Sequence, residues 1–406
     1  MSLPLEGVRV LDLTRALAGP FCTMVLADMG ADVIKVEPSG TGEMIRGWGP
    51  FDQGISVYYL STNRNKRSLA LDMRSPEGRA LLRRLALSSD VLVENFRPGT
   101  MERMGLGWEG LQAENPRLVL TSVTGFGPDG PYGPWPGFDQ IAQGMSGMMS
   151  LTGTPDTGPM RYGVPIGDLV ASLWAAIGTL SAIVQRTTTG RGQRVETSLL
   201  AGLVSLLCVQ GQRYLSLGEV PPQVGNEHPV ICPYGAYRAS DGPLNIAAAT
   251  PPMWRSLCDL LEMPEIADHP DFVENAARMR NRDRLRGMIE ARLGGATRLE
   301  WTERLIAAGI PAGPIYDLSE VFSDPQVRHC GMVEQIAHPL IGQLSQLAGG
   351  VRLEGHAGGM TRRPPPMLGE HSREVLADYG LPEPEIARLV DAGIIDHWPG
   401  QETGNA

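Results

Sequence analysis

The first 125 residues alternate between short apolar runs and amphipathic stretches with capping residues, and that rhythm leaves few folds open. Residues 8–13 (VRVLDL), 32–37 (DVIKVE), 90–95 (DVLVEN) and 117–124 (RLVLTSVT) read as buried strands. Between them, residues 20–30 read as a helix with Pro20 at its start and Gly30 at its end. Residues 75–89 open with Ser75 as cap and Glu77 in the first turn, then follow a helical apolar pattern. A β-α-β succession predicts a parallel sheet with helices on both faces, an α/β fold. From Gly167 a long apolar helix runs to Gly190, and its small residues (Ala171, Ser172, Ala175, Ala176, Gly178) permit close packing. Residues 193–200 start as a strand and pass into a further helix. The texture changes at Pro221-Pro222. Residues 233–249 carry two short strands around Asp241-Gly242, a hairpin signal. The chain thus divides into a large domain over 1–220, a smaller α+β domain over 225–320, and a loop-rich C-terminal part over 325–406 that closes with a short helical piece.

Gly125-Phe126-Gly127-Pro128-Asp129-Gly130 spells the dinucleotide fingerprint directly after a strand. The fingerprint works only if a helix opens behind it, because the helix N-terminus carries the pyrophosphate. Pro128, Pro131, Pro134 and Pro136 forbid that helix. The segment is instead a stiff loop at a strand's C-terminal end, where open α/β sheets bind ligands. Gly144-Met145-Ser146-Gly147 is no nucleophile elbow, since Met148 stands where glycine is required and the stretch reads as helix.

A net charge of −10 argues against nucleic acid as a partner. No run reaches the roughly 18 uninterrupted apolar residues of a membrane span. The first residues lack a basic segment followed by an apolar one, so a cytoplasmic enzyme is expected. Five scattered cysteines (22, 208, 232, 258, 330) suggest neither a zinc site nor disulfides, and the seven histidines form no H-E-x-x-H. The charge is uneven, however. From Arg64 to Arg103 there are nine basic residues against five acidic ones. Arg79, Arg83 and Arg84 suit a solvated helix face. Arg64, Lys66, Arg67, Arg74, Arg97 and Arg103 fall at helix ends or in loops, where they are expected to form a site for a polyanionic ligand.

Gly167-Asp168 places a carboxylate in the first turn of the long helix. One reading is an N-cap. The other is a nucleophile, kept ionised by the helix N-terminus, with Gly167 leaving room for a substrate. A carboxylate can attack a thioester to form a mixed anhydride, dividing a difficult transfer into easier steps.

Taken together, "VLDLTRALAGPFCTMVLADMGADVIKVE", "NRNKRSLALDMRSPEG", "DVLVENFRPGTMERMGLG", "GVPIGDLVASLWAAIG", "GRGQRVETSLL" and "LGEHSREVLADYGL" resemble the class III CoA-transferases, the CaiB/BaiF or formyl-CoA transferase family. The resemblance covers nearly the whole chain in order. It implies a Rossmann-like large domain with a parallel sheet, a smaller α+β domain, and two subunits interlocked as a homodimer, which would account for the long tail. It implies no metal and no permanently bound cofactor, coenzyme A being part of the substrate. Asp168 falls on the family's catalytic aspartate. CoA would be held by Leu17, Ala18, Leu71, Asp72, Met73, Arg74, Asn95, Phe96, Arg97 and Arg103, with the proline-rich loop through Asp139 lining the site. The implied activity moves CoA from an acyl-CoA donor, succinyl-CoA being the first candidate, to a free carboxylic acid by a ping-pong route through aspartyl anhydride and aspartyl-CoA thioester. The implied partners are acyl-CoA and carboxylate substrates and a second copy of the chain, with no nucleic acid and no membrane.

Two positions depart from the formyl-CoA branch. Its mobile glycine-rich loop is matched here by Ala247–Trp254 (AAATPPMW), which has no glycine, and Pro38 replaces an arginine that would touch CoA. Two rival readings remain. A 2-methylacyl-CoA racemase of the same family needs a histidine where Phe138 stands, and phenylalanine moves no proton. A non-catalytic CoA-binding protein would have no need of Asp168.

Overall fold

The computed structural model describes residues 2–354 and 360–400. Its chain forms two compact units. The larger takes residues up to 149, 161–220 and those from 328 onward; the smaller takes 150–160 and 221–327. Residues 150–160, placed with the large domain by the sequence, therefore belong to the smaller unit.

In the larger unit six strands run parallel: β1 (Arg9–Asp12), β2 (Asp32–Pro38), β3 (Lys66–Leu71), β4 (Val91–Glu94), β5 (Val119–Thr124) and β6 (Arg194–Ser198). Their order across the sheet is β3-β2-β1-β4-β5-β6, and Ile395–Asp396 adds an antiparallel edge beside β3. Alternate residues feed two cores. Val10, Val33, Val91 and Val119 face one, shared with Ala18–Asp28 (α1), the long helix Ile166–Thr189 (α4) and Leu199–Ser205 (α5). Leu11, Ile34, Leu92 and Leu120 face the other, shared with Pro76–Leu87 (α2) and two C-terminal helices, Ser372–Asp378 and Glu383–Asp391. A short helix, Asp139–Met145 (α3), precedes α4.

Local chemistry explains these elements. The Ser75 hydroxyl accepts from the Gly78 N–H at 2.9 Å and starts α2. Gly190 ends α4 with φ +71°. By length and composition α4 could cross a bilayer; here it is the crossover from β5 to β6. Thr179 on it shares a hydrogen with Thr121 of β5 at 2.7 Å, and any side chain at Gly178 would press on Val195 of β6.

The clearest departure from the sequence reading is β3. All six of its residues are buried, and it lies inside the sheet rather than in a loop. Lys66 pairs with Asp12 at 3.0 Å, Arg64 with Asp28 at 2.5 Å, and Arg67 with Asp32 and Asp378 at 2.6 Å each. These three cations are consumed internally, so they do not form the expected polyanion site; of the six assigned to it, Arg74, Arg97 and Arg103 remain. The C-terminal part is also more ordered than expected. Val333–His338 and Gly342–Leu347 make an antiparallel hairpin, and Ser372 donates structure to β3 by accepting the Ala70 N–H at 3.2 Å.

The smaller unit has its own core around Tyr237, Leu244, Trp254, Phe272, Leu285 and Trp301. Strands Tyr234–Ala239 and Gly242–Ala247 form the hairpin read at Asp241-Gly242, with Ala312–Pro314 as a third strand. Ala247–Trp254 is no free loop: Pro251 opens a helix that Thr250 caps by accepting the Met253 N–H.

Candidate active site

In the larger unit the strand order reverses between β1 and β4. In α/β folds such a reversal is where ligands are placed, at the carboxyl edge of the sheet. Asn95, just past β4, ties the loops that follow the two strands. Its amide oxygen accepts from the Arg15 N–H at 2.9 Å and its amide nitrogen donates to the Arg15 carbonyl at 2.7 Å. Arg15 in turn lays its guanidinium over the Phe96 ring, 4.8 Å from the centroid. The loop 13–17 is compact because Gly19 allows it: a methyl at that position would overlap the Thr14 side chain.

The loop after β1 is tied to α4. Ser172 donates toward both the Ala18 carbonyl and the Asp168 carbonyl, each at 2.6 Å. Leu17 and Ala18 therefore lie beside the turn that carries Asp168. Asp168 is the third residue of α4 and caps nothing; the N-cap position is Pro165. Its carboxylate makes no hydrogen bond among the described residues. Burial, and then the charge of neighbouring Asp139, push its carboxyl up from the usual 3.8 to about 7. The sequence reading has the helix terminus keep Asp168 ionised; burial and the Asp139 charge work against that, and the Gly167 N–H goes to Asp139 at 2.8 Å instead. Gly167 is glycine for the same reason. A methyl there would sit 3.0 Å from Asp139 Oδ1 and 3.1 Å from Leu203 Cδ1, so the room it leaves is filled by protein, not by substrate.

Asp139 itself is buried, with both oxygens engaged. The second accepts from Gln143 Nε2 at 2.7 Å, and Gln143 holds the Tyr162 N–H at 2.8 Å. Asp139 thus shapes the segment leading to Asp168 instead of offering its carboxylate to a ligand. The proline-rich loop before it folds back on itself: Gly125 and Gly137 face each other so closely that a side chain on either would meet backbone. Phe126, Tyr132 and Trp135 cluster on it, with the last two ring centroids 4.3 Å apart.

The remaining sequence candidates lie along the same edge. Leu71 ends β3 as a fully buried core residue and Met73 packs on that core. Asp72 accepts the Arg74 N–H at 3.0 Å, while the Arg74 side chain is exposed. Arg97 lies in the loop after β4, and Arg103 ends the next short helix, where its side chain donates to Thr100 Oγ1 at 2.8 Å. A cavity of about 330 Å³ opens where this loop meets β5 and β6. Phe96, Arg97, Glu94, Glu102, Asp129 and Glu196 line it. Sequence reasoning missed Arg15, Ser172 and Gln143. The last two were within reach, because each stands one helical turn after an aspartate already singled out.

Residues 5–372 match the family model for CoA-transferase family III. The chain belongs to that family. A succinyl-CoA:glutarate CoA-transferase from Mus musculus is 39% identical over 395 residues, covering 97% of this chain and 90% of the relative. A succinyl-CoA–D-citramalate CoA-transferase from Chloroflexus aurantiacus is 38% identical, with 95% and 96% covered. A crystal structure of a CaiB/BaiF family protein from Brucella suis superposes with a TM-score of 0.84 at 38% identity, covering 93% of this chain and all of that one.

Proposed function

We propose that this family III CoA-transferase moves CoA from succinyl-CoA to a second carboxylic acid through covalent intermediates on Asp168. The observation that carries the reading is the Asp168 carboxyl itself, unbonded, raised to about 7 and tied through Ser172 to the loop after β1. A carboxylate of that basicity is a better nucleophile once ionised than one at 3.8, and it is ionised near neutral pH. Asp168 attacks the donor's thioester carbonyl. The C–S bond breaks and CoA thiolate leaves behind an aspartyl-acyl anhydride. The thiolate attacks the aspartyl carbonyl, forming the aspartyl-CoA thioester and releasing the donor acid as its carboxylate. An acceptor carboxylate attacks that thioester and expels the thiolate. The thiolate then takes the acceptor's acyl carbon from the new anhydride, and Asp168 is restored. Each tetrahedral oxyanion needs donors, which the first-turn N–H groups of α1 supply.

CoA lies along the sheet edge, against Leu17 and Ala18, the backbone of Leu71, Asp72 and Met73, and Phe96. Arg74, Arg97 and Arg103 meet its phosphates. Asn95 and Asp139 hold the walls. Both relatives named above carry succinyl-CoA in their names and differ in the second acid, which supports succinyl-CoA as donor and leaves the acceptor to be found among dicarboxylates. The working form is a homodimer. The outer side of α4 exposes Ile177 (51%) and Val184 (67%), and helix Cys208–Leu217 exposes Val209 (71%) and Leu215 (78%), apolar side chains that a second copy would cover.

The test is incubation in D2O with succinyl-CoA, a 2-methylacyl-CoA and a panel of free acids, with CoA esters read by mass spectrometry. New thioesters that are absent with Asp168→Ala establish transfer and name the acceptor. A 2-methylacyl ester that gains one deuterium without new thioesters makes the protein a racemase.

A further inference from the structure

The loop between β1 and α1 is irregular, yet its backbone is held almost entirely by side chains from elsewhere. Ala16 sits at φ +61°, a region alanine adopts only under constraint. Its N–H donates to Glu43 Oε2 at 2.8 Å. Two residues earlier, the Thr14 carbonyl accepts from Lys35 Nζ at 3.0 Å. Lys35 and Glu43 are themselves paired at 3.0 Å, with 0% and 1% of their side chains exposed. Glu43 is braced in turn: its N–H donates to Glu37 Oε2 at 3.2 Å, and Glu37 accepts two hydrogen bonds from Arg46. The loop these groups hold leads straight into Leu17 and Ala18, and the Ala18 carbonyl is bonded to Ser172 beside Asp168.

A buried ion pair is a weak way to stabilise a fold. Apolar residues of similar volume usually serve as well or better. What two apolar side chains lack is a donor for the Thr14 carbonyl and an acceptor for the Ala16 N–H. We propose that the Lys35–Glu43 pair is a positioning device for the transfer reaction, fixing the loop at 13–18 against Asp168. The pair touches no reacting atom; it acts through the backbone of Thr14 and Ala16. The claim rests on the functional reading above, because that reading makes the distance from Ala18 to Asp168 matter.

The test is the double variant Lys35→Met/Glu43→Leu in the full-length protein. The readouts are melting temperature, amide hydrogen exchange over residues 13–19, and kcat and KM for CoA transfer from succinyl-CoA. Near-normal melting is expected, with faster exchange confined to 13–19. A misplaced nucleophile lowers kcat by about tenfold to a hundredfold, with a smaller change in KM. Unchanged kcat in a well-folded double variant overturns the proposal and leaves the pair a part of the core. Should the double variant not fold, Glu43→Gln decides. It keeps an acceptor for Ala16 but loses the charge that holds Lys35, so a threefold or greater loss of kcat supports the proposal and full activity overturns it. Wild-type protein that transfers no CoA to any acid sinks the functional reading instead. The pair's role in transfer falls with that reading, and the exchange measurement then decides only whether the pair holds the loop: faster exchange at 13–19 shows that it does, and unchanged exchange shows that it does not.

Discussion

In the larger unit, Asp12, Lys35, Glu37, Glu43 and Lys66 are all buried. Burial alone would raise the Asp12 carboxyl, but Lys66, Lys35 and the hydroxyls of Thr14 and Thr23 outweigh it and hold it below the ordinary range. In the smaller unit the interior around Phe272 and Leu285 is apolar, and pairs such as Arg255–Asp268 and Arg284–Asp271 lie exposed. Its one deeply placed guanidinium, Arg278, has no carboxylate among the described residues. It donates to the carbonyls of Cys232, Phe272 and Val273. The smaller unit's apolar core holds no ion pair among the described residues; its most enclosed one, Glu227 with Arg282 and Arg286, lies beside Gly235 of the hairpin. Lys35 and Glu43 in the larger unit, like Arg278 in the smaller, reach backbone groups outside regular structure that need partners.

The contrast can be pressed hardest at Asp168. Replacing it by alanine should lower CoA transfer by a factor on the order of 10³ or more, measured as kcat, with the fold intact by circular dichroism. Next is Asp12→Ala, which strands Lys66 among buried neighbours. Denaturant titration should show a loss of about 3–5 kcal/mol, as for other buried pairs with one partner removed. A smaller effect, opposite in sign, is expected from Asp168→Asn. A carboxyl raised from 3.8 to about 7 favours the folded state when protonated, so its contribution is full at low pH and lost as pH rises through that window. The variant should therefore melt above wild type at pH 8, by a margin that shrinks toward pH 5. The same titration makes wild-type kcat rise with pH and level off above about 7. The smallest change belongs to the smaller unit's surface: Arg255→Met should leave the denaturation midpoint close to that of wild type, because its pair with Asp268 is exposed. A loss there as large as at Asp12 would break the comparison between the two units.

Most of the sheet was legible. Strands β1, β2, β4 and β5 are apolar runs, and α2 announces itself through Ser75 and Glu77. The strand β3 was not legible, because a buried strand that opens Lys-Arg resembles a solvated loop until its partners Asp12 and Asp32 are placed beside it. Those carboxylates stand 54 and 35 residues away in the chain, too far for any local pattern to reveal. The hairpin 333–347 was hidden for a different reason: it is polar on one side and interrupted by His338-Pro339, so its alternation is faint. At the site, Asp168 could be found from its place at a helix start. Asp139 could be found but not understood, since only the fold shows that it takes the Gly167 N–H. The family resemblance supplied the binding loops, yet it could not say that Asn95 uses its whole amide on Arg15.

Gly19 and Gly78 each follow the loop after a strand and open the helix behind it, and a methyl group on either would strike that loop, at Thr14 or at the Asp72 carbonyl. For anyone seeking new substrates by random mutagenesis, these two codons are closed: a library saturated at 19 or 78 should return glycine alone among active clones. If CoA lies along this edge as proposed, its frame has no room to drift, changes of acid specificity must be accumulated at positions outside it, and relatives with different second substrates should share these two glycines.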